Sequence, residues 1–337
     1  MNRKLFFTAW LLAIGATGWA QGPNDSGEYY KAADGKKGAE LKTAFCGVIY
    51  DREEGGDLST AYKALWTHFR TTDARPNGTV WDMYSNKREM TFGTDQAGNY
   101  KQEGDVYNRE HSMPNSWFGG KVMPMYTDLH HMYPTDGFVN NKRSNFPFGE
   151  TKGESYKSAN DFSKLGKCSV EGYTGTVFEP NDEYKGDFAR TYFYMVTCYE
   201  EQIPTWYTSF IDSQPTLDGK TYPGLNDWQL KMLMKWAKND PVSEKEINRN
   251  NAVYDIQKNR NPFIDYPGLE NYIWGDKKDV AFSYDNYATS IQDIMTTGLQ
   301  EGKQEIYGAD GQLRRTYQRG LNIVKQTNGR ARKVIKK

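Results

Sequence analysis

Apolar residues recur at helical spacing in several parts of the chain. The stretch 40–50 is apolar on one side and predicts a helix. In 58–69 the residues Leu58, Tyr62, Leu65, Trp66 and Phe69 share one helical face. Phe188, Tyr192, Met195 and Tyr199 mark a second amphipathic helix that opens after Gly186-Asp187, and Leu225, Trp228, Met232 and Trp236 mark a third. Asp240-Pro241-Val242-Ser243 interrupts the pattern. Ser243 with Glu246 three residues on is a capping-box signature for a fourth helix, which Asn261-Pro262 is expected to end. Alternation predicts a strand at 79–84 (TVWDMY), after the turn Arg75-Pro76-Asn77-Gly78, and another at 128–133. Pro134 can open a helix, because its missing N–H costs nothing in a first turn, so a helix is expected over about 135–143. Near the C-terminus, Asp310-Gly311 and Asn328-Gly329 are hairpin turn signals around the short strand LNIV. With no internal repeat, a few strands early and more helices late, the pattern implies an α+β fold carrying a small C-terminal β appendage.

The first twenty residues stand apart from this pattern. Arg3 and Lys4 precede a short apolar run at 5–14, and Gly18-Trp19-Ala20 supplies the small residues of a cleavage site near Ala20. Residues 1–20 therefore read as a secretory signal peptide; the competing reading, a membrane anchor, needs a longer run. No later stretch is apolar enough to span a bilayer. A flexible lead at 21–38, a main domain at 39–280, a linker at 281–297 and a basic β tail at 298–337 complete the expected organisation. The 24 Tyr, 16 Phe and 9 Trp supply a sizeable core. Export permits disulfides, yet three cysteines leave one thiol over; a Cys168–Cys198 pair and three free thiols, Cys46 included, both stay open. The net charge is zero but uneven. Ten Lys/Arg against three Asp/Glu give the tail +7, which leaves −7 on the rest and −9 once Arg3 and Lys4 are removed. That excludes a broadly basic nucleic-acid binder. Any phosphate-binding surface must be local, or helped by a metal.

Three of the four histidines, His111, His130 and His131, fall close together among carboxylates and amides, whereas His68 sits in a helix pattern and reads as structural. In YNREHSMPNSW (107–117), Glu110 and His111 are adjacent, and on a strand they point to opposite faces. A carboxylate suits a hard cation such as Mg²⁺, and a neutral imidazole suits proton abstraction near pH 7. Taken alone, the pair equally describes an exposed Glu and a packed His at a strand end. In TDLHHMYPTDGFVNNKRSNFPFGE (127–150), the expected helix carries Asn140, Asn141 and Arg143. An amide oxygen is a neutral hard ligand, and a guanidinium can grip phosphate in forked fashion. A polar surface helix would look the same.

Together, YNREHSMPNSWF and DLHHMYPTDGFVNNKRSNFPFGE closely resemble the endonuclease I family of bacterial periplasmic and extracellular nucleases. The likeness continues through FEPNDEYKGDFARTYFYM (178–195) and DPVSEKEINRNNAVYDIQKNRNPFIDYPGLENYIW (240–274), so it spans roughly 40–275. The resemblance implies a ββα-metal (His-Me finger) core elaborated by helices. It also implies a monomeric, exported, Mg²⁺-dependent non-specific endonuclease, with Ca²⁺ or Mn²⁺ as substitutes. Such an enzyme cuts DNA, with RNA left open, to 5′-phosphate and 3′-hydroxyl ends. His111 matches the general base, and Glu110 and Asn140 match the metal ligands. His131 replaces the family's usual Asn, and His130 keeps a supporting place beside substrate. The family's phosphate-holding Arg lies in a longer loop. Here only 119–127 fills that space, so Arg143 or Arg260 is expected to take the role, within a local basic groove of Arg109, Lys142, Arg143, Arg249 and Arg260. The tail more weakly resembles the sorting segments of exported bacterial proteins, which implies an export machinery as partner and a secreted, periplasmic or cell-surface location. The alternative is an exported nucleic-acid-binding or adhesion protein that kept the scaffold and lost catalysis. Another class of metal hydrolase lacks support, because no HExxH occurs.

Overall fold

The computed structural model describes residues 26–50, 61–96, 98–284 and 287, with four tail strands at 305–308, 313–314, 320–325 and 331–336. The signal segment 1–20, most of the expected linker and the two tail turns lie outside the described residues. Both boundaries of the main body move outward. Tyr30, assigned to the flexible lead, is buried, and its hydroxyl donates to Asp265 Oδ2 at 2.6 Å. At the far end Phe282, Tyr284 and Tyr287, assigned to the linker, are buried as well. Aromatic rings here outweigh the polar composition around them.

The first helix, α1 (Gly38–Tyr50), buries Leu41, Phe45 and Ile49 at four-residue spacing. α2 (Leu65–Thr72) starts later than the apolar spacing suggests, behind a 3₁₀ turn at Tyr62–Ala64. The expected strand at 79–84 does not form; only a bridge between Ala74 and Val80 does. Asp82 Oδ1 accepts the N–H groups of Tyr84 and Ser85, so a side chain takes the donors a ladder would need. Two strands then pair antiparallel, β1 (Tyr107–His111) and β2 (Met132–Asp136), with Glu110 opposite Tyr133 and His111 opposite Met132. Helix α3 (Gly137–Arg143) follows β2 without a loop. Here the expected boundaries shift. Pro134 lies inside β2 opposite Arg109, which a two-stranded ribbon tolerates because each strand is an edge. The helix starts instead behind Asp136, whose Oδ1 accepts the N–H groups of Phe138 and Val139 as an N-cap.

A second antiparallel sheet has the order β3 (Thr151–Lys157), β4 (Lys164–Cys168), β5 (Thr176–Glu179). α4 (Lys185–Cys198) is buried from Gly186 onward on every side, so it is a central helix rather than a surface one, and it packs against α1 and α6. Its Phe193 ring lies 5.4 Å from Phe263 and 5.2 Å from Trp274; each such buried side chain contributes about 1.5–3 kcal/mol. α5 (Ile203–Ser209) and α6 (Asp227–Asn239) precede α7 (Glu244–Gln257), whose N-terminus carries the expected Ser243/Glu246 capping box. α7 ends at the left-handed Lys258, before Asn261-Pro262. Asn261 instead caps a new short helix, α8 (Pro262–Asp265), followed by α9 (Leu269–Ile273). In the tail, β6 (Glu305–Gly308), β7 (Leu313–Arg314), β8 (Gly320–Lys325) and β9 (Ala331–Lys336) form an antiparallel sheet of order β7-β6-β8-β9, with LNIV inside β8. The fold is mixed α and β with small antiparallel sheets, as expected. None of Cys46, Cys168 and Cys198 forms a disulfide. No helix of the described residues is long and apolar enough to cross a membrane.

Candidate active site

Strand β1 sorts its side chains by alternation. Asn108 and Glu110 face α3, while Arg109 and His111 face Tyr62: the Arg109 guanidinium lies 3.6 Å over the Tyr62 ring, and the His111 ring lies 6.1 Å from it. Adjacent residues therefore serve two sides of one short strand, as the sequence requires.

On the first side, Glu110 is only 4% exposed. Its Oε1 accepts from the Tyr84 hydroxyl at 2.7 Å and from Arg143 at 3.0 Å. Burial raises its pKa, and the Arg143 cation and these hydrogen bonds oppose the rise. The Asn140 side chain reaches the same carboxylate, while its Nδ2 donates to Asn108 Oδ1 at 2.7 Å. The bonds from Tyr84 and Arg143 share one oxygen of Glu110, and the His111 N–H and the Asn140 amide also lie at the carboxylate. Turning the Asn140 amide over exchanges its nitrogen for its oxygen. One carboxylate and one amide oxygen fit a hard ion that keeps much of its water, such as Mg²⁺. Among the described residues no group of three or more His, Cys, Asp and Glu forms a richer cage.

On the second side, His111 is 8% exposed. Its Nε2 lies 2.9 Å from the Tyr126 carbonyl, a contact that requires Nε2 to carry the proton and leaves Nδ1 as the basic nitrogen. Tyr126 stacks on the imidazole with ring centroids 5.0 Å apart, and Tyr62 stacks on Tyr126 at 4.4 Å. Burial, then His131, push the His111 pKa down to about 3, so the ring is neutral at physiological pH.

Four residues expected at the substrate surface are not there. Arg143 is 1% exposed and donates to Glu110, to the carbonyls of His111 and Ser112, and toward Tyr192. It braces the site from behind instead of gripping phosphate. Arg260 is buried in a two-pronged pair with Asp265, and Arg249 in a pair with Asp73. His130 is buried with Nε2 at the Asn259 carbonyl. An isolated buried charge is prohibitively costly, which is why each of these arginines carries its own carboxylate. Of the expected groove, Arg109 remains half-buried and Lys142 exposed over the rings of Phe138 and Tyr156.

The model of the Endonuclease I family matches residues 37–268. The chain belongs to the endonuclease I family. An extracellular ribonuclease of Bacillus amyloliquefaciens is 35% identical over 262 residues, covering 74% of this chain and 79% of the relative. An endonuclease-1 of Buchnera aphidicola is 28% identical over 43% of this chain and 46% of its own length. An extracellular deoxyribonuclease of Aeromonas hydrophila is 27% identical, over 42% and 50% respectively. This endonuclease I family member is thus a nuclease, a hydrolase of phosphodiester bonds.

Sequence reasoning missed four participants at the site of this nuclease. Asn108 was legible, since it lies two residues before Glu110 on the same face of the strand. Tyr84, Tyr62 and Tyr126 were not, because long-range packing alone brings them to β1.

Proposed function

We propose that the protein is an exported, Mg²⁺-dependent, non-specific endonuclease of DNA and RNA that leaves 5′-phosphate and 3′-hydroxyl ends, built on a ββα-metal core of β1, β2 and α3. One observation carries this reading: a buried carboxylate with the Asn140 amide of α3 beside it and a neutral imidazole held through Nε2 stand at successive positions of one strand end. His111 Nδ1 takes the proton of a water attacking phosphorus in line with the departing 3′-oxygen. The Tyr126 carbonyl holds the ring in that tautomer. Glu110 and Asn140 would hold the ion. Bound there, Mg²⁺ supplies stabilisation of the charge developing on the phosphate and the leaving oxygen, with Ca²⁺ or Mn²⁺ as substitutes. Tyr84 and Arg143 keep Glu110 in place. Arg109 and Lys142, the accessible cations of the expected groove, approach the phosphates; contact with backbone alone carries no base preference. RNA joins DNA as substrate because proteins named ribonuclease and deoxyribonuclease both stand among the relatives of this chain. Their extracellular naming supports export, in keeping with the secretory signal expected at 1–20.

Incubation of the mature protein with plasmid and with RNA, with Mg²⁺ or EDTA, tests the reading. Digestion with Mg²⁺ alone is expected, and His111→Ala should slow it by about 10²–10⁴. Plasmid left intact with Mg²⁺ would favour an inactive binding protein, and full activity of His111→Ala would remove the base assignment.

A further inference from the structure

The turn Met125–Thr127 offers two successive carbonyls to two histidines. His131 Nε2 lies 2.6 Å from the Met125 carbonyl, and His111 Nε2 lies 2.9 Å from the next one, of Tyr126. The two imidazoles are 5.6 Å apart, and Phe118 packs on both. The chain leading into this turn is exposed at Lys121, Val122 and Met123, while the turn itself is buried and its Tyr126 and Thr127 N–H groups donate to the Val122 and Pro124 carbonyls. Behind it, Asp128 is anchored by the hydroxyls of Tyr194 and Tyr199 and by Gln257. His131 thus adds a side-chain bond to a carbonyl of this turn from a segment anchored through Asp128.

His131 is fully buried and cannot touch substrate. Its Nδ1 has no hydrogen-bond partner among the described residues. A buried nitrogen without a partner destabilises a fold, a cost that an apolar side chain would not carry. What the ring supplies in return is the bond from Nε2. Within the 3₁₀ turn φ and ψ are set, so fixing the Met125 carbonyl also directs the next one. We propose that His131 is a positioning residue: by holding the Met125 carbonyl it aims the Tyr126 carbonyl at His111, and so sets the tautomer and orientation of that ring. The proposal rests on the reading of His111 as the base.

The test compares His131→Leu with His131→Gln, whose Nε2 reaches as far as the lost ring nitrogen. Three readouts are taken: kcat and KM on plasmid, melting temperature, and the ¹⁵N spectrum of His111 in protein free of metal and substrate. For His131→Leu, kcat should fall about 10–100-fold, the range for lost supporting partners, with KM unchanged, and His111 should no longer be held as the single Nε2–H tautomer. His131→Gln should restore both. Wild-type kcat in His131→Leu overturns the proposal, as does lost activity with an unchanged His111 spectrum. If His131→Leu fails to fold, His131→Gln decides: recovery of kcat and tautomer supports the role, and failure of either overturns it. The spectrum needs no turnover, so a wild-type protein that does not cut would sink the nuclease mechanism without touching this result.

Discussion

Replacing Arg143 with methionine separates two roles for the most deeply placed cation of the site. In the fold its guanidinium donates to Glu110 Oε1 at 3.0 Å, to the His111 carbonyl at 3.1 Å and to the Ser112 carbonyl at 2.7 Å, above the Phe148 ring. Methionine fills much of the same space but donates nothing. The Ser112 carbonyl keeps the Tyr192 hydroxyl and Glu110 keeps Tyr84, but the buried carboxylate loses its counter-charge. Removing one partner of a buried pair costs about 3–5 kcal/mol. In a domain of this size each kcal/mol is worth roughly 2–4 °C, so the melting temperature should drop by roughly 6–20 °C. A phosphate-gripping Arg143 behaves differently: its loss would spare the fold and reduce the slope of log affinity against log salt by about one. Calorimetry without metal, and anisotropy of a labelled duplex in EDTA across a salt series, measure the two quantities. An unchanged melting temperature with a shallower salt slope would refute the bracing role.

Asn140→Ala should weaken Mn²⁺ or Ca²⁺ binding, read by titration calorimetry without substrate, by about tenfold or more; unchanged affinity would show that the amide is no ligand. Acid should destabilise the fold through its buried histidines. Burial pushes His130 down to about 4 and His111 to about 3, so between these values and about 6.5 the unfolded chain binds more protons than the folded one. The contribution of His130 is then complete above about pH 6.5 and is lost as pH falls towards 4, about 3 kcal/mol in all, while buried acids such as Asp82, pushed up to about 8, act in the opposite direction. Urea unfolding of the wild type and of His130→Gln at the two ends of that window isolates this contribution: the change in stability between the ends should differ between the two proteins by up to about 3 kcal/mol, and an equal change in both would discard this account.

Helix existence was written in the apolar spacing, and the capping box at Ser243 marked the start of α7. Boundaries set by tertiary contacts were less accessible. Pro134 signals a helix start locally, yet pairing with β1 keeps it in a strand and hands the start to Asp136. The candidate site divides in the same way. Glu110, His111 and Asn140 were visible as residue types in order, because alternation on a strand and the following helix are local matters. The fates of Arg143, Arg249 and Arg260 were not, since a sequence shows a charge but not the carboxylate that will bury it. Asp73 lies far from Arg249 in the chain and beside it in space.

The two-sidedness of β1 bears on which changes in length this nuclease can absorb. Adding or deleting one residue between Asn108 and His111 would turn the imidazole toward Arg143 and the carboxylate toward Tyr126, exchanging the two halves of the chemistry while leaving composition nearly untouched. The connection at 112–131 returns to His111 through the Tyr126 carbonyl and ring, and the Tyr126 N–H donates to the Val122 carbonyl, so a change of length at its exposed positions 121–123 bears on the base as well. A change of count in β1 or in this connection therefore reaches the chemistry even where no site residue is replaced.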